Sequence, residues 1–416
     1  MSDAHFILAR IGPKLLLLAA VLGLLITIIE PTRAQTLTTL YTFRGGTDGG
    51  NPYAGLVRDS AGNLYGTTVN GGSSGNGTVF KISAGGGYKV LYSFAGQPDG
   101  GNPYAGLVRD GKGNIYGATF WGGTYGGGTV FKLTNKGLET VLFSFGSMGG
   151  FEDGQSSFGG VVRDALLGNL YGATNFGGAY ACGTVFEITP AGSETVLYDF
   201  QGNSDGCYPE SPLLRDSKGN LYGTTSEGGG SGCSGYVGCG TIFKVTPTGT
   251  ETVLYRFGGP PDSGAGPSAG LIKDAKGNLY GTTNFGGTYS MGTVFELTNK
   301  GAETVRHNFE GGPGDGQGPN AGLILDKLGN LYGTTTGGGA SGAGGYGWGT
   351  IFKIAPNGIV TVLYSFTGGA DGGYPTSDLV MGTEGNLYGT TVYGGVAGTG
   401  CWAPGASCGT VFKVAP

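Results

Sequence analysis

The heptapeptide GNLYGTT at 62–68 returns six times: as GNIYGAT at 113–119, as GNLYGAT at 168–174, and unchanged at 219–225, 277–283, 329–335 and 385–391. The central tyrosines, Tyr65, Tyr116, Tyr171, Tyr222, Tyr280, Tyr332 and Tyr388, are about 50 to 58 residues apart. A fixed period of that size marks a repeat architecture, in which no unit buries its apolar face alone and neighbours stack to build the core. It overrides the two or three separate domains that 416 residues would otherwise suggest. Gly and Pro make up about 27% of the chain, a level that without a period would point to disorder. Here the glycines recur at fixed places between Leu, Val, Tyr and Phe, so they read as turns between strands.

Each unit reads as four short strands: in the first, 54–59, 63–68, 77–82 and 90–94. Enrichment in Val, Leu, Ile, Tyr, Phe and Thr between Gly-rich joints is the strand signature. No window carries a sustained helical period, so almost no helix is expected. The third strand recurs as GTVF or GTIF at 77, 128, 183, 240, 292, 349 and 409. The fourth recurs as VLYSF or a variant at 90, 141, 196, 253, 305 and 362, and its seventh copy stands at the other end, as TLYTF at 39–43. A ring in which the N-terminal strand completes the last sheet accounts for both ends; an open β-solenoid would need no displaced strand. The expected fold is therefore all-β, a seven-bladed β-propeller of four-stranded blades forming one domain over 35–416.

The joint between strands one and two has the form D-x-x-G-N, beginning at Asp59, Asp110, Asp216, Asp274 and Asp326, and with one extra residue at Asp164. Asp bonds backbone amides in a turn while Gly and Asn tolerate positive φ, so the joint is a hairpin. Gly382 replaces the Asp in the seventh unit, where a looser turn is expected. Repeated D-x-x-G-N-L-Y-G together with G-T-V-F resembles the GloVer (Gloeobacter–Verrucomicrobia) tandem-repeat proteins over essentially residues 36–416. The D-x-x-G-N-L-Y half alone is similar to NHL-type propellers. The first resemblance implies an extracellular protein of the choice-of-anchor type and brings no catalytic residues with it. The sequence ends on a strand with no sorting tail, which weighs against surface attachment.

Arg10 and Lys14 precede an apolar run over 15–29 that closes near Ala34. The run is short of the roughly 20 residues a membrane span needs. Residues 1–34 are therefore expected to be a signal peptide, with an uncleaved anchor as the alternative. Its loss takes three basic and two acidic residues and shifts the net charge from −5 to −6. No basic patch remains, which argues against nucleic acid as a partner. A secreted or periplasmic address suits the even cysteine count, and position suggests the pairs Cys182–Cys207, Cys233–Cys239 and Cys401–Cys408 among 15 arrangements. A zinc site is the competing reading, although the sequence has no C-x-x-C pair.

In a propeller the one–two and three–four joints share one face, and the longer two–three and four–one joints share the other. Binding residues concentrate on loops held by a rigid scaffold, so the second face is the candidate site. Its two–three loops hold eight residues in units one, two, three and five, but 14, 13 and 17 in units four, six and seven, which suggests a raised rim. The aromatic candidates for ligand stacking are Trp121, Tyr125, Tyr180, Tyr236, Tyr289, Tyr346, Trp348, Tyr393 and Trp402. Phe176 and Phe285 share the place of Trp121 and Tyr393 before a Gly-Gly pair, and packing between blades is the alternative for that set. Asp48, Asp99, Asp153, Asp205, Asp262, Asp315 and Asp371 form a second series. It reads either as a carboxylate ring at the channel mouth, holding a cation such as Ca²⁺, or as a repeated Asp-Gly turn. No other cofactor is indicated. His307, the only histidine of the mature chain, is expected in a core position, which leaves no Ser-His-Asp site.

These features favour a secreted, non-catalytic binding module whose partner is a polysaccharide or an extracellular protein. One alternative is a hydrolase or lyase acting on polysaccharide, with Glu152, Glu210 and Glu227 as the carboxylates to test. The other is a purely structural or adhesive repeat protein.

Overall fold

The computed structural model describes residues 35–146, 152–230, 233, 238–261, 263–340, 346–396, 401 and 407–415. The expected signal peptide, Tyr236, Asp262 and Trp402 lie outside them. From Leu37 onward the chain forms seven four-stranded antiparallel sheets, a β-propeller. Blade one is made of Val57–Arg58, Leu64–Thr68, Thr78–Ile82 and Tyr88–Ser93, in that order from the centre outward. The last blade combines Val380–Met381, Leu387–Thr391 and Thr410–Val414 with Leu37–Thr42 from the start of the chain. Leu37 pairs with Val414 and Tyr41 with Val411, and the Phe43 amide donates to the Gly409 carbonyl at 3.0 Å. Closure by the N-terminal strand is thus as the sequence led us to expect. Among the described residues the only helical element is the turn Gly46–Asp48, and no helix is long and apolar enough to cross a membrane.

One expectation needs correction. The first strand is two residues long, or three at Val161–Arg163, rather than six. Blades converge at the centre, and the residues ahead of the strand are taken up by the adjacent blade instead of the home sheet. Thr67 donates to the Ala105 carbonyl at 3.2 Å, Thr282 to that of Ala321 at 3.0 Å and Thr390 to that of Ala54 at 3.2 Å.

Blades are held together by paired phenylalanines. The Phe that ends each fourth strand meets the Phe of GTVF or GTIF in the next blade: Phe94 and Phe131 at 5.1 Å, Phe200 and Phe243 at 4.9 Å, Phe366 and Phe412 at 5.2 Å. The closing contact, Phe43 with Phe80 at 5.3 Å, has the same edge-to-face geometry. The repeat motif also latches on the opposite face. Asp59 Oδ1 accepts from the Asn63 amide at 2.9 Å, and Oδ2 from the Tyr65 hydroxyl at 3.0 Å. Arg109, from the next blade, sits 4.5 Å from the Tyr65 ring centre and 3.8 Å from Asp59. At Gly382 these side-chain bonds are gone, but the turn keeps its backbone bond from the Gly382 amide to Asn386 at 2.8 Å. All three disulfides form as the positions suggest: Cys182–Cys207, Cys233–Cys239 and Cys401–Cys408.

Buried carboxylates make stability depend on pH in two opposite ways. Glu139, Glu194 and Glu251 open the fourth strands of blades two, three and four. Burial pushes each carboxyl from 4.5 up to about 7, helped by Asp99 at Glu139, by Asp153 and Asp199 at Glu194, and by Asp205 at Glu251. The folded protein therefore holds these protons more tightly. The stabilisation they bring is complete below about pH 4.5 and is lost as pH rises through about 7. The turn aspartates Asp59, Asp110, Asp216 and Asp326 act in reverse. Burial opposes their ionisation, but bonds from the following Asn and Tyr outweigh it and hold them below 3.8. Their contribution is present above that value and lost as pH falls through the depressed one. The melting temperature should therefore peak near about pH 4.5–6 and drop by a few degrees toward pH 8, at about 1 kcal/mol per glutamate after discounting for partial exposure. The triple variant E139Q/E194Q/E251Q should flatten that alkaline limb. A melting temperature that climbs steadily from pH 5 to pH 8 contradicts the assignment.

Candidate functional site at the channel mouth

One slot of the repeat faces the central channel in every blade. Its seven occupants, Tyr53, Tyr104, Phe158, Glu210, Ser268, Asn320 and Thr376, all border a cavity of about 390 Å³. The backbone leading to this slot is fixed. The residue two places before it has positive φ in all seven blades: Asn51 54°, Asn102 52°, Ser156 59°, Tyr208 59°, Gly266 62°, Gly318 61° and Tyr374 56°. Left-handed backbone at five non-glycine residues is a strained arrangement that the surrounding structure must enforce. Enforcement comes from the blade behind, whose carbonyls accept from these amides, as Cys408 does from Asn51 at 2.7 Å and Asn76 from Asn102 at 2.8 Å. A proline then follows in six of the seven, and its ring locks the approach.

The mouth has two unlike halves. Tyr53 and Tyr104 meet edge to face at 5.3 Å, Tyr104 meets Phe158 at 5.1 Å and Phe120 at 5.5 Å, and Phe120 meets Trp121 at 4.8 Å. This aromatic arc spans blades one to three. Blades four to seven present Glu210, Ser268, Asn320 and Thr376 instead. The neighbouring slot after the double Thr (or Ala-Thr) divides similarly: Val392, Val69 and Phe120, then Asn175, Ser226, Asn284 and Thr336. On the polar side a second cavity, of about 470 Å³, shares Glu210, Ser268 and Asn320 with the channel and adds Ser226, Glu227, Asn284 and Phe285. Among the described residues no Lys, Arg or His borders either cavity.

Charge at the mouth is therefore uncompensated. Burial raises the Glu210 carboxyl, a hydrogen bond from Asn175 partly offsets this, and nearby Glu227 adds to the rise. Burial first, then the charges of Tyr104, Glu210 and Tyr393, raise the Tyr53 hydroxyl. Deeper in the channel Asp378 takes a slot that is Gly55, Gly106, Gly160, Gly270 and Gly322 elsewhere, and Pro212 in blade four. Its Oδ1 accepts from the Gly322 amide at 2.6 Å. The channel wall leaves it little solvent, so burial raises its carboxyl although that amide pulls it down.

The residues singled out from sequence fall mostly outside this mouth. Trp121, Tyr125, Tyr180, Tyr289 and Tyr346 are exposed, and none borders either cavity. Tyr393 is half-buried and rests on Tyr374 at 5.5 Å, and Phe176 rests on Tyr208 at 5.4 Å. Trp348 is half-buried, 6.0 Å from Tyr374, and covers Gly368 so closely that a Cβ there would lie 2.3 Å from the indole. Its ring is spent on packing.

Among the described residues, no member of the aspartate series borders the mouth. Asp48, Asp99, Asp205 and Asp371 each accept from the fourth-strand tyrosine of their own blade, at 2.8, 3.0, 2.8 and 3.0 Å. Asp315 does the same with His307 at 3.1 Å, and Asp153 accepts from the Gly146 amide at 2.9 Å. The fourth strand is the outermost, so these aspartates cap turns around the rim, and His307 is a partly exposed stand-in for tyrosine rather than a core residue. Among the described residues no three His, Cys, Asp or Glu are grouped to hold a metal ion. Of the three glutamates, Glu210 and Glu227 border the site and Glu152 is exposed elsewhere. Sequence reasoning missed Tyr53, Tyr104, Phe158, Ser268, Asn320, Thr376 and Asp378. The available signal was a slot that reads Tyr, Tyr, Phe, Glu, Ser, Asn and Thr in successive units, between a Pro and a Leu that are each kept in six of the seven.

Comparison with known proteins agrees with this architecture. A family model described as the Gloeobacter/Verrucomicrobia repeat matches residues 25–237 and 233–403. No curated protein sequence matches. Among solved structures, the extracellular domain of the hybrid two-component system BT4673 from B. thetaiotaomicron aligns with 91% of this chain and 39% of its own, at 11% identity and a TM-score of 0.55. That of BT3049 from the same organism aligns over 92% and 41%, at 13% identity and a TM-score of 0.53. The chain thus spans about two fifths of the length of these neighbours. At such identities the likeness shows the fold alone. A 6-phosphogluconolactonase-like protein from Bacteroides uniformis aligns over 80% of this chain and 88% of its own, at 18% identity and a TM-score of 0.49. That score is too low to bear on activity.

Proposed function

The chain belongs to the Gloeobacter/Verrucomicrobia repeat family, and from that premise we propose that it is a non-catalytic binding module working outside the cytoplasm, with an extracellular glycan received at the channel mouth. The observation that carries this reading is the two-sided mouth: an aromatic arc of Tyr53, Tyr104 and Phe158 facing Glu210, Ser268, Asn320 and Thr376 across one cavity. A sugar ring has an apolar C–H face and a hydroxyl-bearing edge, and a pocket with aromatic walls and a few convergent polar groups suits both. The disulfides and the extracellular domains among the structural neighbours support the address.

The test is retention on a panel of insoluble polysaccharides. Tyr104→Ala, which removes the ring that joins Tyr53, Phe120 and Phe158, should weaken retention roughly 10-fold or more. Tyr346→Ala, on an exposed loop ring, should leave it unchanged. Equal binding by both variants, or retention on no polymer, would remove the reading. A second reading, hydrolase or lyase, is favoured by one observation: the raised Glu210 carboxyl beside Glu227. Release of reducing ends or unsaturated sugars from the same panel, lost in Glu210→Gln, would establish it.

A further inference from the structure

Resting on the glycan reading, we propose that the mouth is built for a sugar unit carrying a free ammonium group, an amino sugar, with Glu210 as its counter-ion. The polar half of the mouth is rich in acceptors. Glu210 and Glu227 border the second cavity, and Glu210 also borders the channel, as does Asp378. Behind Glu210, the buried Asn175 hydrogen-bonds that carboxylate and helps to fix it at the cavity wall. Among the described residues no cationic side chain borders either cavity to balance these groups. A neutral hydroxyl brings one donor and no charge, whereas an ammonium brings three donors and the missing positive charge.

Two further observations favour an organic cation over a metal ion. Among the described residues no three carboxylate, His or Cys groups are close enough to hold a metal. The aromatic arc also lines the same cavity as Glu210, with Tyr53 packed on Tyr104 and Tyr104 on Phe158. Ring faces attract ammonium groups, and more strongly where water is excluded. Glu210 is half-buried and no cationic side chain borders either cavity among the described residues, so a bound amine would supply its counter-charge.

The experiment is calorimetric titration of the protein with five probes: a chitosan hexamer (free amines), a fully N-acetylated chitin hexamer, cellohexaose, spermidine and calcium chloride. The chitosan hexamer should bind tightest of the three oligomers. Glu210→Gln should weaken it roughly 10- to 100-fold and the two neutral oligomers far less, so that the preference for the free amine disappears. Three oligomers binding alike, with E210Q affecting none, overturns the amine assignment and leaves the glycan reading intact. Spermidine binding that depends on Glu210, with silence from every oligomer, upholds the amine assignment and removes the glycan reading. Calcium binding lost in E210Q, without amine binding, makes the cluster a metal site and overturns the proposal; silence from all five overturns both readings. Thermal melts establish that E210Q is folded. If it is not, Glu227→Gln takes its place, with a smaller loss expected for the free-amine oligomer alone and the proposal overturned if all three oligomers are unchanged.

Discussion

Deleting residues 37–43 should abolish the cooperative melting transition of the propeller. The segment supplies the outer strand Leu37–Thr42 of the last blade, paired along Thr410–Val414. Without it that sheet ends on an unpaired edge, a template for association with other chains. The loss also reaches across to blade one. Phe43 is fully buried against Phe80 at 5.3 Å, the Tyr41 ring stacks on Tyr88 at 3.8 Å, and the Tyr41 hydroxyl donates to Asp48 at 2.8 Å. An open array of repeats keeps only nearest-neighbour terms, so it frays from its ends instead of melting as a unit. Calorimetry and size-exclusion chromatography should show a broad, low transition and larger species. A milder form compares Phe43→Ala with Phe200→Ala, each removing one ring of an equivalent pair. Both should cost about 3–5 kcal/mol, because in a closed ring no interface is terminal. A Phe43→Ala protein that melts like the parent would mean that the closing interface bears little load.

The second large effect concerns two glycines of blade four that differ in what surrounds them. Gly240 opens the GTIF strand at φ +92°, and a Cβ there would lie 2.3 Å from the Thr225 carbonyl oxygen. The carbonyl belongs to the backbone of the second strand and cannot move aside, so Gly240→Ala combines a left-handed penalty with a backbone clash. About 3–5 kcal/mol is expected. Gly223, within LYGTT, has no such φ; its added Cβ would meet the Phe243 Cζ at 2.6 Å and the Leu213 Cδ2 at 2.9 Å. Gly223→Ala should cost about 1–3 kcal/mol, and Phe243→Leu, which removes the ring edge, should recover part of it. The same Phe243→Leu change should not rescue Gly240→Ala. Denaturant melts of the three single and two double variants measure both coupling energies. Equal rescue at both sites would mean that side-chain crowding, not backbone geometry, fixes the third-strand glycine.

What was legible followed the period. GNLYG, GTVF and VLYSF recur because the blades share their contacts. The Phe pair stands at all seven interfaces, as in Phe43 with Phe80 and Phe94 with Phe131, and the turn Asp accepts from the motif Tyr in five blades, as Asp59 does from Tyr65. The disulfides were legible because cysteines interrupt the repeat in pairs. The aspartate series misled for the opposite reason. Its recurrence reflects a turn cap on the fourth-strand tyrosine, as in Asp99 with Tyr92 at 3.0 Å, and not convergence on the axis.

By itself the sequence determined the fold class, the number of blades and the closing strand, because each is a matter of periodic patterning and chain order; it suggested the disulfide pairs, which the structure fixes. Only the tertiary structure decided which face residues share a cavity. Tyr53, Glu210 and Thr376 are far apart in the chain, and the variable slot they share does not by itself say that they face one cavity. They meet because seven equivalent slots are turned toward one axis by a left-handed residue braced on the preceding blade. Ring closure converts a position in a repeat into a position around a channel, and that conversion lies in the geometry of the ring, not in any one of its units.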